Sequence, residues 1–113
     1  MARQKELKWL LDLEERQRVA DGAGGFDTTW AQLGQLWAHV EARGVSNTEV
    51  TGGDTSRIRY RITVRAAAEG APERPKIGQR LRDGTRAFEV EAVHEADAAG
   101  LYLHIWANEE VLA

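Results

Sequence analysis

The chain is 113 residues long and carries 15 basic against 18 acidic residues, a net charge of −3. With 42% hydrophobic and 29% charged residues it has the composition of a globular domain, which argues against a disordered chain or a membrane protein. There is no cysteine, so disulfide frameworks and thiolate metal sites are excluded and the fold rests on packing. A chain of this size forms one domain and buries about two thirds of the surface its unfolded form exposes. The slight acidic excess speaks against a general polyphosphate binder, since tight nucleic-acid binding usually shows as a basic excess. The N-terminus lacks the charged, apolar and small-residue succession of a signal peptide, so the expected compartment is the cytoplasm.

Leu7 to Arg16 supports two readings. Leu7, Leu10 and Leu11 among Lys, Glu and Arg suit a helix, whereas Leu7, Trp9, Leu11 and Leu13 give a strand with one apolar face. Asp21-Gly22-Ala23-Gly24-Gly25 then ends any regular element and reads as a loop between strands. From Thr28 to Arg43 the spacing of Trp30, Leu33, Trp37 and Val40 is helical, while Leu36, Ala38 and Val40 alternate as in a strand. Gly34 costs a helix about 1 kcal/mol relative to alanine, or serves as the turn between two short strands. Local signals leave the choice open. Gly44 to Asp54 is polar, contains Gly52-Gly53, and is expected to form a long exposed loop.

The clearest element is Thr55 to Ala66. Arg57, Arg59, Arg61, Thr63 and Arg65 alternate with Ile58, Tyr60, Ile62 and Val64, the period of a strand with one apolar face and one carrying four positive charges. Both prolines, Pro72 and Pro75, fall in the irregular stretch that follows. Gln79 to Arg82 and Thr85 to Val93 flank Asp83-Gly84, the preferred pair of a type I′ hairpin, with Phe88, Val90 and Ala92 alternating behind it. After a turn at Asp97 to Gly100, Leu101, Leu103 and Ile105 alternate with Tyr102, His104 and Trp106 in a last strand that is partly apolar on both faces and needs cover on both. Short strands at such spacing predict an all-β fold, a sandwich or small antiparallel barrel with long loops.

Catalytic and metal chemistry find little support. His39, His94 and His104 are far apart in sequence and lack zinc-helix spacing; no Gly-x-Ser-x-Gly elbow surrounds Ser46 or Ser56; and the Gly22–Gly25 run lacks the Gly-Lys-Ser/Thr of a phosphate loop. Glu14-Glu15 and Glu109-Glu110 are neighbours whose members point to opposite faces of a strand, and read as solvated acids. The arginine face either meets phosphates or pairs with acids of neighbouring strands, such as Glu89 and Glu91, or with another subunit. The acidic net charge and the absence of interleaved aromatics favour the second. No cofactor is expected.

Taken in order, the residues resemble the head-closure, or stopper, family of tailed phages, also called head-tail joining proteins, and are most similar to the versions carried by gene transfer agents. The resemblance runs through a strand at Leu7 to Arg18, Asp21-Gly22-Ala23-Gly24-Gly25-Phe26 leading to Trp30, Leu36-Trp37-Ala38-His39-Val40, the arginine strand, Gly78-Gln79-Arg80-Leu81-Arg82-Asp83-Gly84 with Phe88-Glu89-Val90-Glu91-Ala92-Val93, and Gly100-Leu101-Tyr102-Leu103. It implies a single β-barrel domain over residues 1–113 with strand, turn and strand across Trp30 to Arg43. It further implies a structural, non-enzymatic role: a homo-oligomeric ring, a hexamer or a dodecamer, in the neck of a virion-like particle. An adaptor ring lies above, the tail terminator below, packaged double-stranded DNA runs through the channel, and no membrane is involved. On this reading the 44–54 loop faces the channel or a partner through Val45, Asn47, Glu49, Thr51 and Asp54, with the acids Glu49 and Asp54 letting DNA slide without sticking. Arg57, Arg59, Arg61, Arg65, Tyr102, His104 and Trp106 are the candidates for contact between subunits. The alternative is a small β-barrel that binds nucleic acid directly.

Overall fold

The computed structural model describes residues 6–50 and 53–111. Six strands carry the fold: β1 (Trp9–Ala20), β2 (Phe26–Val50), β3 (Gly53–Arg65), β4 (Arg80–Asp83), β5 (Arg86–Glu95) and β6 (Tyr102–Val111). They close into an antiparallel barrel in the order β1-β2-β3-β6-β5-β4. The seam is short: Asp12, Leu13 and Glu14 of β1 meet Arg82, Leu81 and Arg80 of β4. Of the sandwich and the small barrel that the alternating segments left open, the barrel implied by the resemblance is the fold observed.

Side-chain alternation builds the interior. Leu11 and Leu13, Ala38, Ile62 and Val64, Leu81, Phe88 and Val90, and Leu103, Ile105 and Ala107 form one buried cluster to which all six strands contribute. Each fully buried large side chain among them is worth about 1.5–3 kcal/mol relative to exposure. Tyr60 meets Phe88 edge-on, with ring centres 5.1 Å apart. Of the two readings for Leu7 to Arg16, the strand is the one formed, because Leu11 and Leu13 enter this core together only at a spacing of two.

Four local expectations need correction. Gly44 to Asp54 is not a loop: Gly44 to Val50 continue β2 and pair with β3 from Gly53 to Arg59, making a long hairpin arm. Polar composition suggested a loop because this ribbon lies beyond the core, where nothing selects apolar residues. Gly34 is not a turn either. β2 runs through it, and Leu33 is the extra residue of a bulge, since Leu13 faces Gly34 while Glu14 faces Gln32. The β4–β5 hairpin is present but displaced by one residue: Asp83 pairs with Arg86, so the two loop residues are Gly84 and Thr85. Only Gly84 has positive φ, +60°, which is the II′ pattern with glycine at the first central position rather than the I′ pattern of Asp-Gly. Finally, Ile62 and Val64 point inward as their alternation requires and Tyr60 packs against the core, but Ile58 is 46% exposed. It stands opposite Val45 on the arm, past the end of the barrel.

The molecule measures 57 × 33 × 23 Å along its principal axes. That elongation comes from β2, which is far longer than the barrel is tall and carries a hairpin arm at each end.

Candidate functional site

Beyond the last β1–β4 pair, Glu14 with Arg80, residues Glu15 to Ala20 pair, among the described residues, only with Phe26 to Ala31. This first arm is a two-stranded ribbon. Its tip is fastened by Asp21, whose Oδ1 accepts from the backbone N–H of Ala23 (2.8 Å) and of Gly25 (3.0 Å) while its own N–H donates to the Gly25 carbonyl (3.1 Å). Those donors hold the Asp21 carboxyl below its ordinary value.

Because Leu11 and Leu13 point inward, Glu14, Arg16 and Arg18 point outward, and the ladder sets Trp30 opposite Arg16 and Thr28 opposite Arg18. Arginines and aromatic rings interleave there. The Arg80 guanidinium lies 4.0 Å from the Trp30 ring centre, Arg16 lies 5.3 Å from the same ring, and Arg18 stands 4.2 Å over Phe26. Arg80 Nε also donates to Glu14 Oε1 at 2.6 Å, and both residues are 8% exposed. Glu14 is therefore a buried, paired acid and not a solvated one. On the same outer side Leu10 faces Trp37, and both are exposed.

The second arm joins Gly44–Val50 to Gly53–Arg59. Since β6 first meets β3 at Arg59, Gly53 to Ile58 have, among the described residues, β2 alone beside them. The ladder sets Asn47 opposite Ser56 and Glu49 opposite Asp54, so the two acids singled out in the sequence share one rung near the tip. Thr51 lies outside the described residues. Val45 is 67% exposed.

The outer wall of the barrel and, for Arg57, the base of the second arm hold the remaining candidates. Arg59 and Arg65 are exposed, Arg57 half-buried, and Arg61 donates to Glu41 at 2.9 Å. The acids expected to pair with this face, Glu89 and Glu91, do not. β3 lies between β2 and β6, so Arg61 finds Glu41 on β2, while β6 separates it from β5, where Glu91 accepts from Asn108. Glu41 also takes His39 Nε2 at 2.7 Å. The three histidines, distant in sequence, fall into one row: His39 opposite Thr63, Thr63 opposite His104, His104 opposite His94. His94 accepts at Nε2 from the Trp106 indole at 2.9 Å. No group of three or more metal-binding side chains gathers among the described residues.

One barrel mouth is filled by charge. Arg86 Nε donates to Glu109 Oε2 at 2.7 Å, and its guanidinium lies over Phe88 (5.2 Å), Trp9 (5.5 Å) and Tyr60 (5.8 Å). The hydrogen bond from Arg86 holds the Glu109 carboxyl below its ordinary value; burial, then Glu109 itself, push the Tyr60 hydroxyl up. Glu109, like Glu14, is not the solvated acid its neighbour in sequence suggested. At the other end a hollow of about 580 Å³ offers only Glu69, Arg74 and Glu95 as charged lining.

The interleaved face of the first arm was missed in the sequence, where aromatics were sought along the arginine strand itself. The signal lay across a turn: folding the chain about Asp21–Gly25 brings Arg16 to Trp30.

Comparison with known proteins places the chain beside a family model and several solved structures. A family model described as phage head completion protein matches residues 3–110. A chain from a structure of the virion of a native gene transfer agent particle is 44% identical, with a TM-score of 0.81, covering 97% of this chain and 100% of that chain. No curated protein matches.

Proposed function

The chain belongs to the phage head completion protein family, and from that premise we propose that it forms a homo-oligomeric ring in the neck of a tailed-phage-like particle. The family is structural rather than enzymatic, and the likeness to a gene transfer agent virion chain supports a head-tail role in such a particle. In the proposed arrangement an adaptor ring lies above, the tail terminator lies below, and packaged double-stranded DNA passes through the channel. Assembly takes place in the cytoplasm.

The observation that carries this reading is the pair of two-stranded arms reaching past a closed barrel. An isolated hairpin is marginally stable in water, and an unpaired strand edge invites a neighbour. Arms of this length are consistent with a molecule completed by assembly. The second arm is assigned to the channel, with the Glu49–Asp54 rung presenting acids that gain nothing from a phosphate backbone. Arg57 at the base of the second arm and Arg59, Arg65, Tyr102, His104 and Trp106 on the outer wall, with Arg61 held by Glu41, face neighbouring subunits or rings.

Shortening the second arm by removing 46–56 and closing it with a two-residue turn tests the channel assignment in whole particles. The expected result is particles that fill and then lose DNA while the barrel still incorporates. Shortened particles that retain DNA and join tails normally rule the assignment out.

A further inference from the structure

The outer face of the first arm has the composition of a protein interface. Phe26 is 59% exposed and Trp37 56%, Leu10 and Leu33 are exposed, and Arg16 and Arg18 stand among them. Aromatic residues and arginine are the types that concentrate at the centres of interfaces. Among the described residues no carboxylate pairs with Arg16 or Arg18; their contacts are with the rings of Trp30 and Phe26. The face is therefore apolar with unneutralised positive charge, on a chain whose net charge is −3.

The opposite wall complements it. In the closed order β1-β2-β3-β6-β5-β4, the strands across the barrel from β1 and β2 are β5 and β6. There the ladder is interrupted by a bulge between Val90 and Ala92, with Glu91 the extra residue. Beside it lies a hollow of about 360 Å³ lined by Arg59, Glu91, Ala92 and Trp106. Glu91 is exposed, and Glu89 flanks it on the same strand.

We propose that the first arm of one copy docks on the β5–β6 wall of the next, with Phe26 entering the hollow beside Trp106 and Arg18 meeting Glu91. This rests on the ring reading and gives it a direction. The two surfaces differ and lie on opposite sides of the barrel, so the contact is head-to-tail, the type that closes into rings. A partner of the same sequence is favoured because a hollow that offers the Trp106 ring to an aromatic side chain and the Glu91 carboxylate to an arginine, with Arg59 also in its lining, is present on the chain itself. A nucleic acid would need a broader basic surface than two arginines.

The absence of cysteine makes the test clean. Particles carrying Arg18→Cys and Glu91→Cys together are oxidised and run without reductant, and the chain is expected as a ladder of disulfide-linked multimers. Either single variant is expected as monomer. Dimers from a single variant mean a symmetric contact and overturn the proposal. In parallel, Arg18→Glu is expected to lower incorporation into particles at least tenfold, and Arg18→Glu with Glu91→Arg to restore it; failure of both the ladder and the rescue overturns the docking. An amine cross-linker applied to wild-type particles separates the two ideas. Multimers with that reagent but no ladder and no rescue sink the docking alone, whereas monomer throughout sinks the ring as well. Salt-sensitive duplex DNA binding by the purified chain, lost in Arg16→Ala with Arg18→Ala while those particles assemble normally, assigns the face to nucleic acid and overturns the proposal.

Discussion

Arg80 and Glu14, 66 residues apart in sequence, meet at 2.6 Å across the seam where β4 closes the barrel on β1. The Trp30 ring lies against the guanidinium at 4.0 Å, and both charges are almost wholly removed from water. A buried pair that loses one member leaves the other unpaired, at a cost of about 3–5 kcal/mol. Glu14→Gln is expected to lower unfolding free energy by roughly 3 kcal/mol in urea titration, and Arg80→Met by less, because Glu14 keeps Arg82 Nη1 at 3.8 Å. Replacing both, Glu14→Leu with Arg80→Met, is expected to cost less than either single change. A double variant as unstable as the sum of the two singles refutes the pairing.

A second pair sets an acid limit on stability. Arg86 holds Glu109 ionised below its ordinary value of 4.5, so this carboxylate stabilises the fold at neutral pH. That contribution is lost as pH falls through the lowered folded value. Glu109 is 17% exposed at its side chain but Arg86 is 37% exposed, so solvent screening keeps the effect to about 1 kcal/mol. Unfolding followed from pH 7 to pH 2 should show a flatter acid limb in Glu109→Gln than in the parent. Parallel limbs in the two proteins count against the assignment.

Two glycines separate backbone need from convenience. Gly84, at φ +60°, starts the β4–β5 turn, and Gly84→Ala is expected to cost about 1 kcal/mol although a Cβ there meets nothing within 4 Å. Gly34 has no such φ and equally open surroundings, so Gly34→Ala is expected to be neutral or to stabilise by about 0.5 kcal/mol. Thermal unfolding of the two variants in one buffer decides the matter; equal losses contradict it.

Exposed and buried aromatics divide the work of assembly from that of folding. Phe88, fully buried, is expected to lose about 3–5 kcal/mol on truncation to alanine. Trp37, more than half exposed, is expected to change unfolding free energy by less than about 0.5 kcal/mol as alanine. Trp37→Ala chains should nevertheless enter particles poorly in competition with wild type. Equal incorporation removes Trp37 from the docking face.

The strands that line the barrel were legible because burial enforces their alternation: Ile62 with Val64, Leu103 with Ile105, and Phe88 with Val90 each read as one face and lie on one face. Legibility stopped at the barrel's rim. Ile58 continues the pattern of Ile62 in sequence yet stands in the open opposite Val45, because period two says which residues share a side and not where the core ends. The same limit made a hairpin arm look like a loop from Gly44 onward. Bulges were hidden too: Leu33 shifts β2 by one residue, which gave Trp30, Leu33 and Trp37 a helical spacing on an extended chain. The arm surface around Trp30 needed pairing across a turn, which no single stretch of sequence displays.

β2 passes from the base of one arm, through the barrel, to the base of the other without a break. Its position is pinned twice, by the irregularity at Leu33 against β1 and by that at Arg43 against β3, so it cannot slip by one residue without dismantling both ladders. One unbroken strand therefore belongs to both arms and to the barrel wall between them, so neither arm can change its register without disturbing the strand that carries the other.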